Sequence, residues 1–210
     1  MLPIVTPEIE KYLESLQPPR DDVLREMEAI AEQNDFPIIG PDVGLLLYIL
    51  TKITGAKRVL ELGSGYGYSA YWFAQALPDD GLVVATDTDP GNKTQAEEYF
   101  ARSGLSGKLQ FELGEALDVI DRLDGEFDII FNDIDKEDYP LSTDKIVPKL
   151  KMGGLFITDN SLWYGKIVRD PPPDETTARV VQFNRELAAD PRFEMLVLPI
   201  RDGLTIARKK

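Results

Sequence analysis

Glu61-Leu62-Gly63-Ser64-Gly65-Tyr66-Gly67-Tyr68-Ser69 closes a short apolar run that begins at Arg58 and opens an amphipathic one that ends near Ala76. Glycines between the carboxyl end of a strand and the start of a helix let the backbone approach a ligand closely, and open α/β sheets bind their ligands there. A nicotinamide-dinucleotide fingerprint needs glycine at position 68, where this chain has Tyr68. The loop also sets a carboxylate, Glu61, just ahead of the glycines. A carboxylate suits a cationic or hydroxyl-bearing ligand and repels a pyrophosphate.

Working outward, Arg58–Leu62, Leu82–Asp87, Leu109–Leu113, Phe127–Asn132, Leu155–Thr158, Phe193–Pro199 and Leu204–Ala207 read as strands. Amphipathic stretches at Ser69–Ala76, Lys93–Arg102, Glu115–Arg122, Tyr139–Leu150 and Thr176–Ala188 separate most of them. Such alternation predicts an α/β fold, Rossmann-like, with a seven-stranded, mostly parallel sheet and helices on both faces. Only Ile200-Arg201-Asp202-Gly203 joins the last two strands, so the final one is expected to run antiparallel. Residues 1–57 read as extra N-terminal helices ahead of an α/β core at 58–210, in one domain. These helices run from the Thr6-Pro7-Glu8 cap signal through Leu16, over Asp21–Gln33, and from Pro41 to about Ile53. Arg169–Thr176, with Pro171-Pro172-Pro173, reads as a surface loop.

The second strand ends in Asp87, close to the ~20-residue offset from the glycines at which an acid meets ribose hydroxyls. One half of the ligand therefore reads as a nucleoside, and the other, facing Glu61, as bearing an amine or sulfonium. S-adenosylmethionine has both features.

Composition narrows the chemistry. The 210 residues include no Cys and no His. Disulfides, thiolate or imidazole metal sites, Cys nucleophiles and Ser-His-Asp triads are therefore excluded. A general base has to be a carboxylate, Lys, Tyr or a metal-activated group, and any metal a hard cation on oxygen ligands. The formal charge of −14 disfavours a nucleic-acid partner. The longest apolar run, Val43–Leu50, is far short of the ~20 residues that span a bilayer. The opening Met-Leu-Pro-Ile-Val-Thr-Pro carries no basic segment and apolar run of a secretory signal, so a cytoplasmic location without membrane association is expected.

A second constellation lies where the fourth and fifth strands end, in Asn132-Asp133-Ile134-Asp135-Lys136 and Thr158-Asp159-Asn160-Ser161-Leu162-Trp163. If these strands are neighbours, two carboxylates and a carboxamide converge beside the cofactor crevice. That set suits Mg²⁺ first, with Mn²⁺ or Ca²⁺ as alternatives. Lys136 stands three residues beyond Asp133, placed to accept a proton. Trp163, Tyr164 and Tyr139 are candidates for the acceptor pocket.

These motifs, with Leu77-Pro78-Asp79-Asp80-Gly81 and Gly67-Tyr68-Ser69, resemble those of the cation-dependent class I O-methyltransferases, the group of caffeoyl-CoA and catechol O-methyltransferases. The resemblance runs from about Pro18 to Arg208. It implies a divalent cation on Asp133, Asp159 and Asn160, with Lys136 as base and Asp133 close to both cation and cofactor. It implies S-adenosylmethionine contacts from Glu61, Gly63, Gly65 and Ser69, from Asp87 and Thr88 at the ribose, and from Ala116 near the adenine. Ile39 falls where the family closes over the methionine moiety. Two positions depart from its pattern: Asn132 replaces the usual apolar residue before the first metal Asp, and Arg201-Asp202-Gly203 replaces Gly-Asp-Gly. The implied reaction is methyl transfer to a hydroxyl of a small vicinal diol. A bacterial transfer-RNA hydroxyuridine methyltransferase is the alternative, and a non-catalytic cofactor-binding domain a third reading. A homodimer is expected because Leu13, Leu16, Val23, Leu24, Met27 and Ile30 of the N-terminal helices need a partner surface.

Overall fold

Seven strands, β1 (Arg58–Leu62), β2 (Leu82–Asp87), β3 (Leu109–Leu113), β4 (Phe127–Asn132), β5 (Leu150–Thr158), β6 (Phe193–Leu198) and β7 (Leu204–Lys209), form one sheet in the order β3-β2-β1-β4-β5-β7-β6. The computed structural model describes residues 6–210; the first five residues of the expected N-terminal segment lie outside the described residues. β1 through β5 run parallel, and β7 runs antiparallel between β5 and β6. The predicted fold class stands.

Side chains alternate across the sheet as a two-residue period demands. Val59, Ile129 and Ile157 enter one buried cluster, while Leu60, Ile130 and Phe156 enter the other. Burial on both faces explains why these strands read as almost unbroken apolar runs. The chain winds from β1 to β2 and β3 on one side and from β4 to β5 on the other. The order reverses between β1 and β4, so the ligand crevice opens at their carboxyl ends.

Helices α1 (Pro7–Ser15), α2 (Asp22–Asn34) and α3 (Gly40–Thr54) precede the sheet, and α4 (Tyr68–Ala76) follows the glycine loop. A Cβ added at Gly44 of α3 would fall 2.2 Å from the indole nitrogen of Trp72 on α4, so glycine is what lets these helices touch. The expectation that the N-terminal apolar positions need a partner surface is met unevenly. Leu24 and Met27 are buried in the chain's own core, with Val23 and Ile30 packed against it, while Leu13 and Leu16 on α1 are exposed.

The remaining helices are α5 (Pro90–Arg102), α6 (Ala116–Arg122), α7 (Tyr139–Ile146) and α8 (Glu175–Ala189). α5 starts three residues earlier than its periodicity predicts because Asp89 caps it through Gly91 N, with Pro90 at the first position. α7 stops short of the predicted Leu150: a 3-10 turn over Val147–Lys149, containing Pro148, ends it. β5 starts at Leu150 rather than at Leu155, with an irregularity in its pairing to β4 that accommodates Gly153 and Gly154. Among the described residues no helix is long and apolar enough to cross a membrane.

Candidate active site

The glycine loop is held by strand ends on both sides. Thr86 Oγ1 accepts from Gly63 N at 3.1 Å and donates to the Glu61 carbonyl at 3.0 Å. Ser64 N donates to the Thr86 carbonyl at 2.8 Å, and Gly65 N to the Asp87 carboxylate at 3.0 Å. Gly63 has φ 81°, and a Cβ there would meet the Asp133 carbonyl oxygen at 2.6 Å, so only glycine lets the loop reach the end of β4. Gly65 is covered from the other side by the Phe36 ring.

Glu61 is placed differently from the rest of the predicted cofactor set. It is fully buried behind the loop, with its carboxylate accepting from Ser64 Oγ at 2.6 Å and from Ser69 Oγ. Burial pushes its pKa up to about 7, against the pull of the two serines. It is not among the residues that line the cleft, but Ser64 and Ser69, which hold its carboxylate, both are. Gly63, Gly65, Ser69, Asp87, Thr88, Ala116 and Ile39 do line it, in one cleft of about 2930 Å³ that also contains Asp133, Lys136, Asp159 and Asn160.

β4 and β5 are neighbours in register, Asn132 opposite Thr158, so Asp133 and Asp159 emerge side by side. Asp133 N donates to the Leu62 carbonyl at 2.9 Å and Asp159 N to the Asn132 carbonyl at 3.2 Å, fixing both residues to the sheet. Burial raises the pKa of Asp133; burial first and the charge of Asp133 second push Asp159 up to about 7. Lys136 Nζ sits 2.9 Å from Asp133 Oδ1 and 3.2 Å from the Ile134 carbonyl, with its charge 5.4 Å from the Tyr139 ring centre. Held this way it is a donor; to act as a base it has to lose its proton first. Asn160 is in left-handed backbone, φ 53°, and its amide nitrogen lies 3.5 Å from Asp202 Oδ2, leaving its carbonyl oxygen available. A buried carboxylate, Asp159, and a half-buried one, Asp133, repel each other beside an amide oxygen and form a hard donor set that fits a divalent cation.

Asn132, the departure from the family pattern, is fully buried, and among the described residues neither its amide atoms nor Thr158 Oγ1 opposite it has a hydrogen-bond partner. Tyr139 is fully buried among the residues beneath the sheet, its hydroxyl donating to the Asp159 carbonyl at 3.0 Å. It supports the acidic loop from behind and is not an acceptor-pocket residue, since burial between α7 and α8 removes it from the cleft. Trp163 and Tyr164 do line the cleft, both in left-handed backbone. Asp202 holds that turn by accepting from Tyr164 N at 2.6 Å. Sequence reasoning missed the roles of Ser64 and Thr86 as braces of the loop. The strand-end position of Thr86, next to Asp87, was the available signal.

The O-methyltransferase family model matches residues 15–210. Caffeoyl-CoA O-methyltransferase 1 of Eucalyptus globulus is 34% identical over 210 residues, 93% of this chain and 85% of that protein. Caffeoyl-CoA O-methyltransferase 2 of Petunia hybrida is 34% identical over 211 residues, 93% of this chain and 86% of that protein. The chain belongs to the O-methyltransferase family.

Solved structures agree with the assignment. The O-methyltransferase of Bacillus cereus in complex with SAH superposes with a TM-score of 0.88 at 26% identity, over 97% of each chain. TomG of Streptomyces achromogenes, involved in tomaymycin synthesis and solved with SAM, gives 0.89 at 26% identity over 97% of this chain and 96% of its own. The protein is an S-adenosylmethionine-dependent O-methyltransferase. In this methyltransferase the glycine loop and the acidic pair share one wall, because the Asp133 backbone packs directly on Gly63.

Proposed function

We propose that this methyltransferase modifies one hydroxyl of a small vicinal diol such as a catechol, with a divalent cation, Mg²⁺ in the first instance, held by Asp133, Asp159 and Asn160. The observation that carries the reading is the placing of buried Asp159 and half-buried Asp133 at adjacent strand ends, in the same cleft as the glycine loop. When bound, the cofactor supplies a methyl group on a sulfonium, and the cation a Lewis acid that makes a coordinated hydroxyl more acidic. The chain does the positioning. Ser69 and the loop amides flank the methionine end, Asp87 and Thr88 the ribose, and Ala116 the adenine, while Ile39 closes over the methionine.

Lys136 is the group placed to take the acceptor's proton at Nζ once its contact with Asp133 is relieved. Trp163 and Tyr164 exclude water on the acceptor side. Aligning the two reactants contributes roughly 7 kcal/mol in favourable cases. The homodimer expected from the N-terminal helices rests, in this fold, on exposed Ile9, Tyr12, Leu13 and Leu16 of α1 and on Ile49 and Ile53 of α3.

Methyl transfer from labelled S-adenosylmethionine to a catechol panel, with and without EDTA, tests the reading. Activity is expected to vanish on chelation and return with Mg²⁺ or Mn²⁺, and Asp159→Ala is expected to lose cation binding and turnover together. Full activity after exhaustive chelation would overturn the cation. Hydroxyuridine-containing transfer RNA methylated ahead of every small diol would replace the acceptor.

A further inference from the structure

Arg201 is a cation of the cleft that the reaction above does not use, and unlike Lys11 and Arg20 of the same lining it stands in the turn after β6. It stands in the turn between β6 and β7 in left-handed backbone, φ 47°, a conformation unfavourable for an arginine. The turn cannot easily relax. Gly203 N donates to the Ile200 carbonyl at 2.8 Å, and a Cβ on Gly203 would meet the Leu162 side chain at 2.5 Å.

The guanidinium is fixed at its far end too. Nη1 donates to the Ile38 carbonyl at 2.7 Å. The group lies against Gly40, where an added Cβ would be 2.7 Å from Nη1 and 3.1 Å from Cζ. Only glycine at position 40 leaves that seat open. One carbonyl uses one of five N–H donors. Arg201 is exposed, lines the cleft with Asp133, Asp159, Lys136 and Asn160, and forms no ion pair among the described residues.

Three acids that line the same cleft are engaged elsewhere. Asp202 accepts from Tyr164 N, Asp42 accepts from Gln17, and Asp133 holds Lys136. A charged fork with donors unused, held at both ends beside the acceptor side of the cleft, matches the geometry of a carboxylate.

We propose that Arg201 anchors a carboxylate carried by the acceptor, so that the enzyme selects anionic vicinal diols, aromatic acids with two adjacent hydroxyls, over neutral ones. The inference rests on the diol reading above and names the acceptor class within it. It also gives a physical role to the residue that stands where the family pattern has glycine. The overall negative charge does not oppose it, because a small monoanion meets the local cations of the cleft rather than the whole surface.

The test compares 3,4-dihydroxybenzoate with its methyl ester, which keeps the diol and removes the charge. For the wild type, kcat/KM is expected to be ~10-fold or more higher for the acid, chiefly through KM, with the advantage shrinking as salt rises. In Arg201→Gln the acid-to-ester ratio is expected to fall by ~10–100-fold, and in Arg201→Lys by less, since the charge stays and the fork is lost. Equal acid and ester kinetics in the wild type would overturn the proposal. So would an Arg201→Gln variant that loses both substrates equally while binding S-adenosylhomocysteine more weakly, which is the signature of a mere brace for Ile38 and Gly40.

Calorimetry with 3,4-dimethoxybenzoate on the S-adenosylhomocysteine-loaded protein separates the two readings. Binding that depends on Arg201 while neither diol is methylated leaves the anchor standing and removes the diol. Methylation of the ester with no Arg201-dependent binding does the reverse.

Discussion

The two halves of the cleft are built on opposite principles. On the cofactor side, the loop is braced from inside the chain: Thr86 holds Gly63, Asp87 holds Gly65, and two serines close on Glu61. On the acceptor side, buried Asp159 and half-buried Asp133 repel each other, the Lys136 ammonium sits on Asp133, and Asn160, Trp163, Tyr164 and Arg201 all occupy left-handed backbone. The first half is braced as the chain folds it; the second gathers like charges and costly backbone in one place. Preorganisation serves binding on one side, and stored strain and charge serve chemistry on the other.

The largest effect expected from breaking this contrast is at Lys136. Lys136→Ala is expected to lower turnover by ~10²–10⁴ while leaving cation affinity near the parent's, with the loss shrinking at raised pH as the acceptor ionises unaided. Stopped-flow turnover and cation titration together check it; a variant as active as the parent at neutral pH would remove Lys136 from the chemistry.

A smaller effect sharpens the cofactor side. Glu61 has a folded pKa of about 7 against an ordinary value of 4.5, so the native state binds the extra proton between those pH values. Stability contributed by this group is therefore present below about pH 4.5 and is lost as pH rises to about 7. Glu61→Gln removes that loss. Relative to the parent it is expected to gain on the order of 3 kcal/mol between pH 4.5 and pH 8, read from urea unfolding across the range. Parallel curves for the two proteins would show that Glu61 is not the group that titrates.

The smallest effect concerns Asn132, whose buried amide has no partner among the described residues. Asn132→Val suits a central strand and removes two unpaired polar atoms, so it is expected to stabilise the protein by about 1–2 kcal/mol, seen as a raised denaturation midpoint. A loss of stability instead would mean that this amide has partners supplied from outside the chain.

The legible parts of the sequence were those governed by local rules. β1 through β4 follow their apolar runs to the residue, because strands buried on both faces leave no ambiguity of pattern, and the strand-end acids fall where neighbouring parallel strands must put them. β5 was read five residues short because Lys151, Gly153 and Gly154 look like a turn, and only pairing with Phe127 makes Leu150 part of the strand. That Glu61 is fully buried beneath Ser64 and Ser69 depends on how the glycine loop folds over β1, and that Tyr139 is interior depends on α8. The contact from Arg201 to Ile38 joins residues 163 positions apart, a separation no local pattern encodes.

β7 is the last strand in the chain, yet it lies inside the sheet, separating β6 from β5. As the polypeptide is made, five parallel strands and the nucleoside end of the cleft can assemble while the final hairpin is still being synthesised. Only when that hairpin docks does Thr205 meet Ser161, Asp202 reach the Tyr164 amide, and Arg201 reach across to Ile38. That wall of the cleft thus depends on residues far downstream of the glycine loop, and closing it requires the end of the sheet to be in place.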